Sequence, residues 1–115
     1  MKRMDNHIKY ILKLPKADVK VFDLLIKERE IDTKEEFDTE YLAEELDLNL
    51  TTVQRAVKRL YESELIFQNK INLTGGGYKY IYSAYSTVQL VTIIEEKVNQ
   101  FKTNAVWALE NSDEY

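Results

Sequence analysis

Between Thr51 and Arg59 the chain carries Thr51, Thr52, Gln54, Arg55, Lys58 and Arg59, with no carboxylate until Glu62. On the outer face of one helix, such groups can hydrogen-bond nucleic acid. A glutamine amide matches adenine and an arginine guanidinium matches guanine, each through two parallel bonds. Thr51, Thr52 and Lys58 suit phosphates, which position a duplex without reading it. A second set, Lys70, Asn72, Thr74 and Lys79, flanks the only three glycines, Gly75 to Gly77, a tip that can come close to a backbone. Catalytic chemistry has no comparable foundation. The chain has no Cys and one His, His7, read as a surface residue, so thiolate metal sites are excluded and a histidine zinc site nearly so. Glu35-Glu36 and Glu44-Glu45 lack a nearby His or Lys pattern for acid–base work. The triple glycine lacks G-x-G-x-x-G spacing and the Lys-Ser/Thr of a phosphate loop. A non-enzyme without cofactor or metal is expected.

These groups need elements to hold them. Val53, Ala56, Val57 and Leu60 recur at i, i+3, i+4 and i+7, predicting an amphipathic helix over about 50–62. Asn49 is a candidate cap for it, and Thr51 with Gln54 an alternative capping box. Before it, Asp38 can cap a short helix with one apolar face, Leu42, Ala43 and Leu46, which Asp47-Leu48-Asn49 breaks. Upstream of a polar loop at 30–36, Pro15 suits the first turn of a helix. That helix buries Ala17, Val21, Phe22, Leu24, Leu25 and Ile26 and ends near Arg29. A short N-terminal helix is read around Ile8, Ile11 and Leu12.

After the 50–62 helix, two β-rich runs at 65–73 and 78–85 around Thr74-Gly75-Gly76-Gly77 predict a hairpin. Tyr78, Tyr80 and Tyr82 alternate onto one face and are expected to pack on the body, with stacking on bases as the lesser alternative. Ser86 and Gln89 form a capping-box pattern that opens a last helix. Leu90, Val91, Ile94, Val98, Phe101, Ala105, Ala108 and Leu109 share one side of it, and six of them keep the 3-4 spacing of a coiled-coil seam. A helix over 87–110 is roughly 36 Å long, more than so small a body needs to cover. Trp107 lies off that stripe and is expected to pack against a neighbouring element.

The resulting order predicts a mainly α fold with a small β-hairpin wing. It reads as a winged helix-turn-helix unit over 1–85, with the wing at about 65–85, followed by a C-terminal dimerisation helix over 86–115. The 115 residues fit one compact domain. Their 44% hydrophobic and 31% charged content is that of a globular chain, with no apolar run long enough for a membrane span and no apolar signal region after the first residues. A cytoplasmic protein is the expectation. The net charge of −4 gives no overall attraction to nucleic acid, but it is unevenly spread. Residues 1–27 carry +4, 28–47 carry −8, 48–85 carry +3 and 86–115 carry −3.

The run FDTEYLAEELDLNLTTVQRAVKRLYESELIFQNKINLTGGGYKYIY resembles the winged helix-turn-helix domain of TrmB-like and MarR-like regulators, especially small archaeal ones. The likeness covers residues 16–85. It implies a transcriptional regulator that binds a near-palindromic double-stranded DNA site as a homodimer. It implies recognition-helix contacts from Thr51, Thr52, Gln54, Arg55 and Lys58, and a wing around Lys70–Lys79 on the flanking groove. The sugar-sensing domain of larger TrmB-like proteins has no counterpart after the last helix. The acidic stretch 28–47 departs from an evenly basic face and admits a second reading, a winged-helix protein-interaction module that does not bind DNA.

Overall fold

The computed structural model describes residues 13–31 and 36–112. The short helix read around Ile8–Leu12, and His7, lie outside the described residues. Helix α1 spans Lys16–Ile31, α2 Thr39–Leu46 and α3 Leu50–Glu62. Strands β1, Ile66–Asn72, and β2, Tyr78–Ala84, form an antiparallel pair, and α4 spans Thr87–Glu110. This is a winged helix-turn-helix with a long C-terminal helix, as its patterning predicts.

Local chemistry accounts for most boundaries. The Pro15 carbonyl accepts from the Val19 amide at 3.1 Å, so proline stands just before the first turn of α1, where its missing N–H costs nothing. Asp38 caps α2 by accepting from Tyr41 N at 2.8 Å, and Asn49 caps α3 by accepting from Thr52 N at 2.8 Å. Asn49 rather than Thr51 therefore sets the start of α3. At α4, Ser86 and Gln89 exchange both bonds of the capping box.

The turn between α2 and α3 is a Schellman closure. Asp47 sits in the left-handed region at φ 52°, its amide meets Glu44 O and the Leu48 amide meets Ala43 O. The end of α3 repeats the device with Glu64 at φ 62°, where Leu65 N bonds to Leu60 O. In both, the residue after the left-handed position is a leucine that turns toward the core. These two closures fix the direction in which α3 enters and leaves the domain.

The core lies where α1 crosses α3, with α2 and the base of the hairpin closing it. Val21, Phe22 and Leu25 of α1 meet Leu42 of α2, Val53, Val57 and Leu60 of α3, and Leu65, Ile66 and Ala84 of the hairpin. Phe37, just after the polar loop read at 30–36, forms a β-bridge to Tyr82, with both reciprocal bonds at 2.8 Å. It thereby extends the hairpin sheet toward α2 and stacks on Tyr41.

Two packing expectations fail. Of the three wing tyrosines only Tyr82 is buried, while Tyr80 is 39% and Tyr78 52% exposed. The hairpin leaves the body beyond its base, so among the described residues its outer half has no core to pack on. Trp107 is 65% exposed, because α4 departs in the same way. Leu90 is its buried residue and Ile93 touches the core, after which the helix runs outward and the molecule reaches 61 × 29 × 24 Å.

Candidate nucleic-acid interface

The exposed face of α3 exists because the opposite face is anchored. Val53, Ala56 and Leu60 are fully buried and Val57 almost so, so the helix cannot roll without exposing them. Thr51, Gln54, Arg55 and Lys58 are thereby turned to solvent. Thr52 is half-buried, and its amide is occupied by the Asn49 side chain. Among the described residues no carboxylate pairs with Arg55 or Lys58.

Arg59 is used differently from its neighbours. Its Nε donates to Asp18 Oδ2 at 2.9 Å and its Nη2 to Oδ1 at 2.6 Å, a fork that fits the carboxylate. Asp18 is completely buried, and hydrogen bonding to it holds the guanidinium above the usual arginine range against the opposing effect of burial. A buried carboxylate without such a partner is costly, so Arg59 belongs to the joint between α1 and α3. The sequence reading set Arg59 beside Arg55 and Lys58 as a nucleic-acid contact; the structure gives it a partner, Asp18, that its two neighbours lack, while leaving its side chain 44% exposed. The signal was out of reach locally, since the pair is 41 residues apart.

In the wing, Lys70, Asn72, Thr74 and Lys79 are all exposed. Lys79 pairs with Asp38, the α2 cap, at 3.1 Å, which ties the second strand to the helix-turn-helix. Lys70 lies 4.1 Å above the Tyr78 ring centre, a cation–π contact. At the tip Gly76 and Gly77 take φ of 99° and 79°, so the turn uses the backbone freedom that glycine supplies. Leu73 accepts from Gly76 N and donates to Gly77 O, closing it.

Between α3 and the wing runs an open groove of about 210 Å³, lined by Thr39, Gln54, Val57, Tyr80 and Tyr82. It brings the Gln54 amide beside Tyr80 and Tyr82 of the hairpin. Burial, with Tyr80 and Tyr61 nearby, pushes the Tyr82 phenol up. Sequence reasoning had no means to place Tyr80 here, because the alternation shows which residues share a face but not how far along the hairpin the body extends.

On α4, Leu90 serves the core of its own domain and is not available as a seam residue. Val91 and Phe101 are about half exposed and Leu109 is 73% exposed; Ile94, Val98 and Ala105 are half-buried and Ala108 is exposed. No helix among the described residues is long and apolar enough to cross a membrane.

This fold is shared with a protein described as a possible transcriptional regulator from Methanosarcina mazei Go1. The two chains are 37% identical and superpose with a TM-score of 0.73 over 90% of this chain and 82% of that one. The protein belongs to that family. The ST1889 protein from the thermoacidophilic archaeon Sulfolobus tokodaii is 26% identical, with a TM-score of 0.61 over 87% of this chain and 92% of its own. An uncharacterized protein of Methanocaldococcus jannaschii, MJ1503, is 32% identical over 63 residues, 55% of this chain and about half, 48%, of its own length. No protein-family model matches the chain.

Proposed function

We propose that the protein is a sequence-specific, double-stranded-DNA-binding transcriptional regulator of the TrmB-like or MarR-like kind, acting as a homodimer. The observation that supports this reading is the state of the cations on α3. Arg59 is tied to a buried carboxylate, yet Arg55 and Lys58 stand exposed and unpaired among the described residues, beside Thr51 and Gln54. A helix held this rigidly, with a wet face of that composition, fits a major groove about 12 Å wide. Gln54 and Arg55 read base edges, Thr51 and Lys58 hold phosphates, and Lys70, Asn72 and Thr74 follow the flanking backbone. The relative named a possible transcriptional regulator agrees with this assignment.

The dimer is proposed from α4. Val91, Ile94, Val98, Phe101, Ala105 and Ala108, with Leu109, form an apolar seam of which Val91, Phe101, Ala108 and Leu109 are exposed and Ile94, Val98 and Ala105 half-buried. Apolar area left in water forgoes roughly 25 cal/mol per Å². A two-fold pairing of these helices covers the seam and sets two α3 helices in successive major grooves, about 34 Å apart.

A gel-shift with duplex DNA from the region upstream of its own gene, repeated over a salt series, tests the reading. Affinity that falls steeply with salt is expected, and a flat response overturns it. Light scattering is expected to return twice 13.6 kDa. The acidic surface of α2, with Glu40, Glu44 and Glu45 exposed, favours the second reading, a module for a basic protein partner. That reading requires capture of a protein without DNA and tolerance to loss of Arg55.

A further inference from the structure

The wing places its tyrosines where its cations were expected to act. In the β1–β2 register, Asn72 pairs with Tyr78, Lys70 with Tyr80 and Gln68 with Tyr82, so these six side chains share one face. At the base that face is the buried one, through Tyr82. Toward the tip it emerges into solvent as Tyr80 and Tyr78, packed edge to face with ring centres 5.5 Å apart. Tyr80 lines the groove opposite Gln54, so this face is continuous with the solvent side of α3. Lys70 sits over the Tyr78 ring at 4.1 Å. Among the described residues neither the Tyr78 nor the Tyr80 hydroxyl has a hydrogen-bond partner.

The cation supply on this side of the molecule is short. Arg59 is committed to Asp18, Lys79 is paired with Asp38, and the chain as a whole carries −4. On α3 and the wing, Arg55, Lys58 and Lys70 have no carboxylate partner among the described residues. A phenolic O–H donates to a phosphate oxygen as a neutral group, and its rigid ring loses little freedom on binding.

We infer that Tyr78 and Tyr80 are DNA-contacting residues, their hydroxyls donating to backbone phosphates beside the groove that α3 enters, with Lys70 held over Tyr78 to supply the charge. This rests on the DNA-binding reading above and adds to it a prediction about salt. A lysine or arginine that neutralises a phosphate releases a counterion and steepens the salt dependence, whereas a neutral donor binds without doing so. The hydroxyl contribution and the charge contribution of the wing are therefore separable.

The test compares the full-length wild type with Tyr78→Phe, Tyr80→Phe and Lys70→Ala. Each is titrated against a mixed-sequence duplex and against a duplex selected from a randomised pool by the wild type, across a salt series. The phenylalanine variants keep the ring, the edge-to-face pair and the hairpin, and thermal unfolding checks that they do. The expected result is a loss of roughly three- to tenfold in affinity per hydroxyl, equal on both duplexes, with a salt line parallel to that of the wild type. Lys70→Ala is expected to weaken binding and lower the salt slope by about one phosphate's worth. Wild-type affinity in both phenylalanine variants overturns the inference and leaves the DNA-binding reading intact. A phenylalanine variant that loses affinity only together with thermal stability also overturns it, since the hydroxyl then serves the fold. A wild type that binds neither duplex overturns the DNA-binding reading and this inference together.

Discussion

Helices α3 and α4 are both amphipathic, yet they spend their apolar faces in opposite ways. On α3 every apolar position of the stripe is buried inside the chain and the polar side faces water. On α4 one residue is buried, and valines, Phe101, Trp107 and Leu109 stand exposed along the rest of it. The first arrangement makes a rigid presenter of side chains and the second leaves a surface in need of cover. One pattern, an apolar repeat near 3.6, therefore carries two meanings, and the distance from the element to the body decides between them.

The sharpest test of that contrast compares truncations of equal chemistry. Leu60→Ala on α3 is expected to cost about 2–5 kcal/mol of unfolding free energy, measured by urea titration, because it removes a fully buried side chain from a packed core. Leu109→Ala on α4 is expected to stay within about 0.5 kcal/mol, since its side chain is largely in water. Phe101→Asp adds a separate readout, a halved mass in light scattering with the domain still folded. If Leu109 proved as costly as Leu60, the helices would not differ as described.

Next in size is the joint beneath α3. Arg59→Ala is expected to destabilise by about 2–3 kcal/mol, below the full cost of breaking a buried pair because the guanidinium itself is 44% exposed. Asp18→Ala is expected to cost less, as the freed arginine reaches water while a stranded buried carboxylate cannot. Equal losses for the two variants would contradict this asymmetry.

On the presenting face, Arg55→Ala is expected to lower affinity for a selected duplex by roughly 1–3 kcal/mol and to relax one base position, without altering thermal stability. Unchanged sequence preference would remove Arg55 from the reading set. A gain in stability is expected at the closing turn of α3. Glu64 holds a left-handed conformation that a side chain disfavours, so Glu64→Gly is expected to stabilise by about 1 kcal/mol. A loss of stability there would mean that the Glu64 side chain makes a favourable interaction outweighing its backbone strain.

Much of this molecule was legible in short stretches of its chain. The Ser86–Gln89 capping box, the Asp38 cap, the i, i+3, i+4, i+7 run of α3 and the glycine turn each involve residues a few positions apart, so their physics is complete locally. The exposed face of the candidate site was legible to the same extent, for the exposure of Thr51, Gln54, Arg55 and Lys58 follows from the buried stripe opposite them. What was missed lies across long separations. Nothing near Arg59 points to Asp18, and only Phe37's isolation as an apolar residue in a polar stretch hinted at its bridge to Tyr82, 45 residues on.

The primary structure by itself thus determined which segments are helices and strands, where they begin, and which side of each is apolar, because propensity, capping and periodicity act over one or two turns. Only the tertiary arrangement decided which polar groups remain at liberty and which apolar ones lack cover. Those outcomes depend on how far the body reaches along the wing and along α4, and on which carboxylate meets which guanidinium. That is a matter of distance in space, which no local pattern contains.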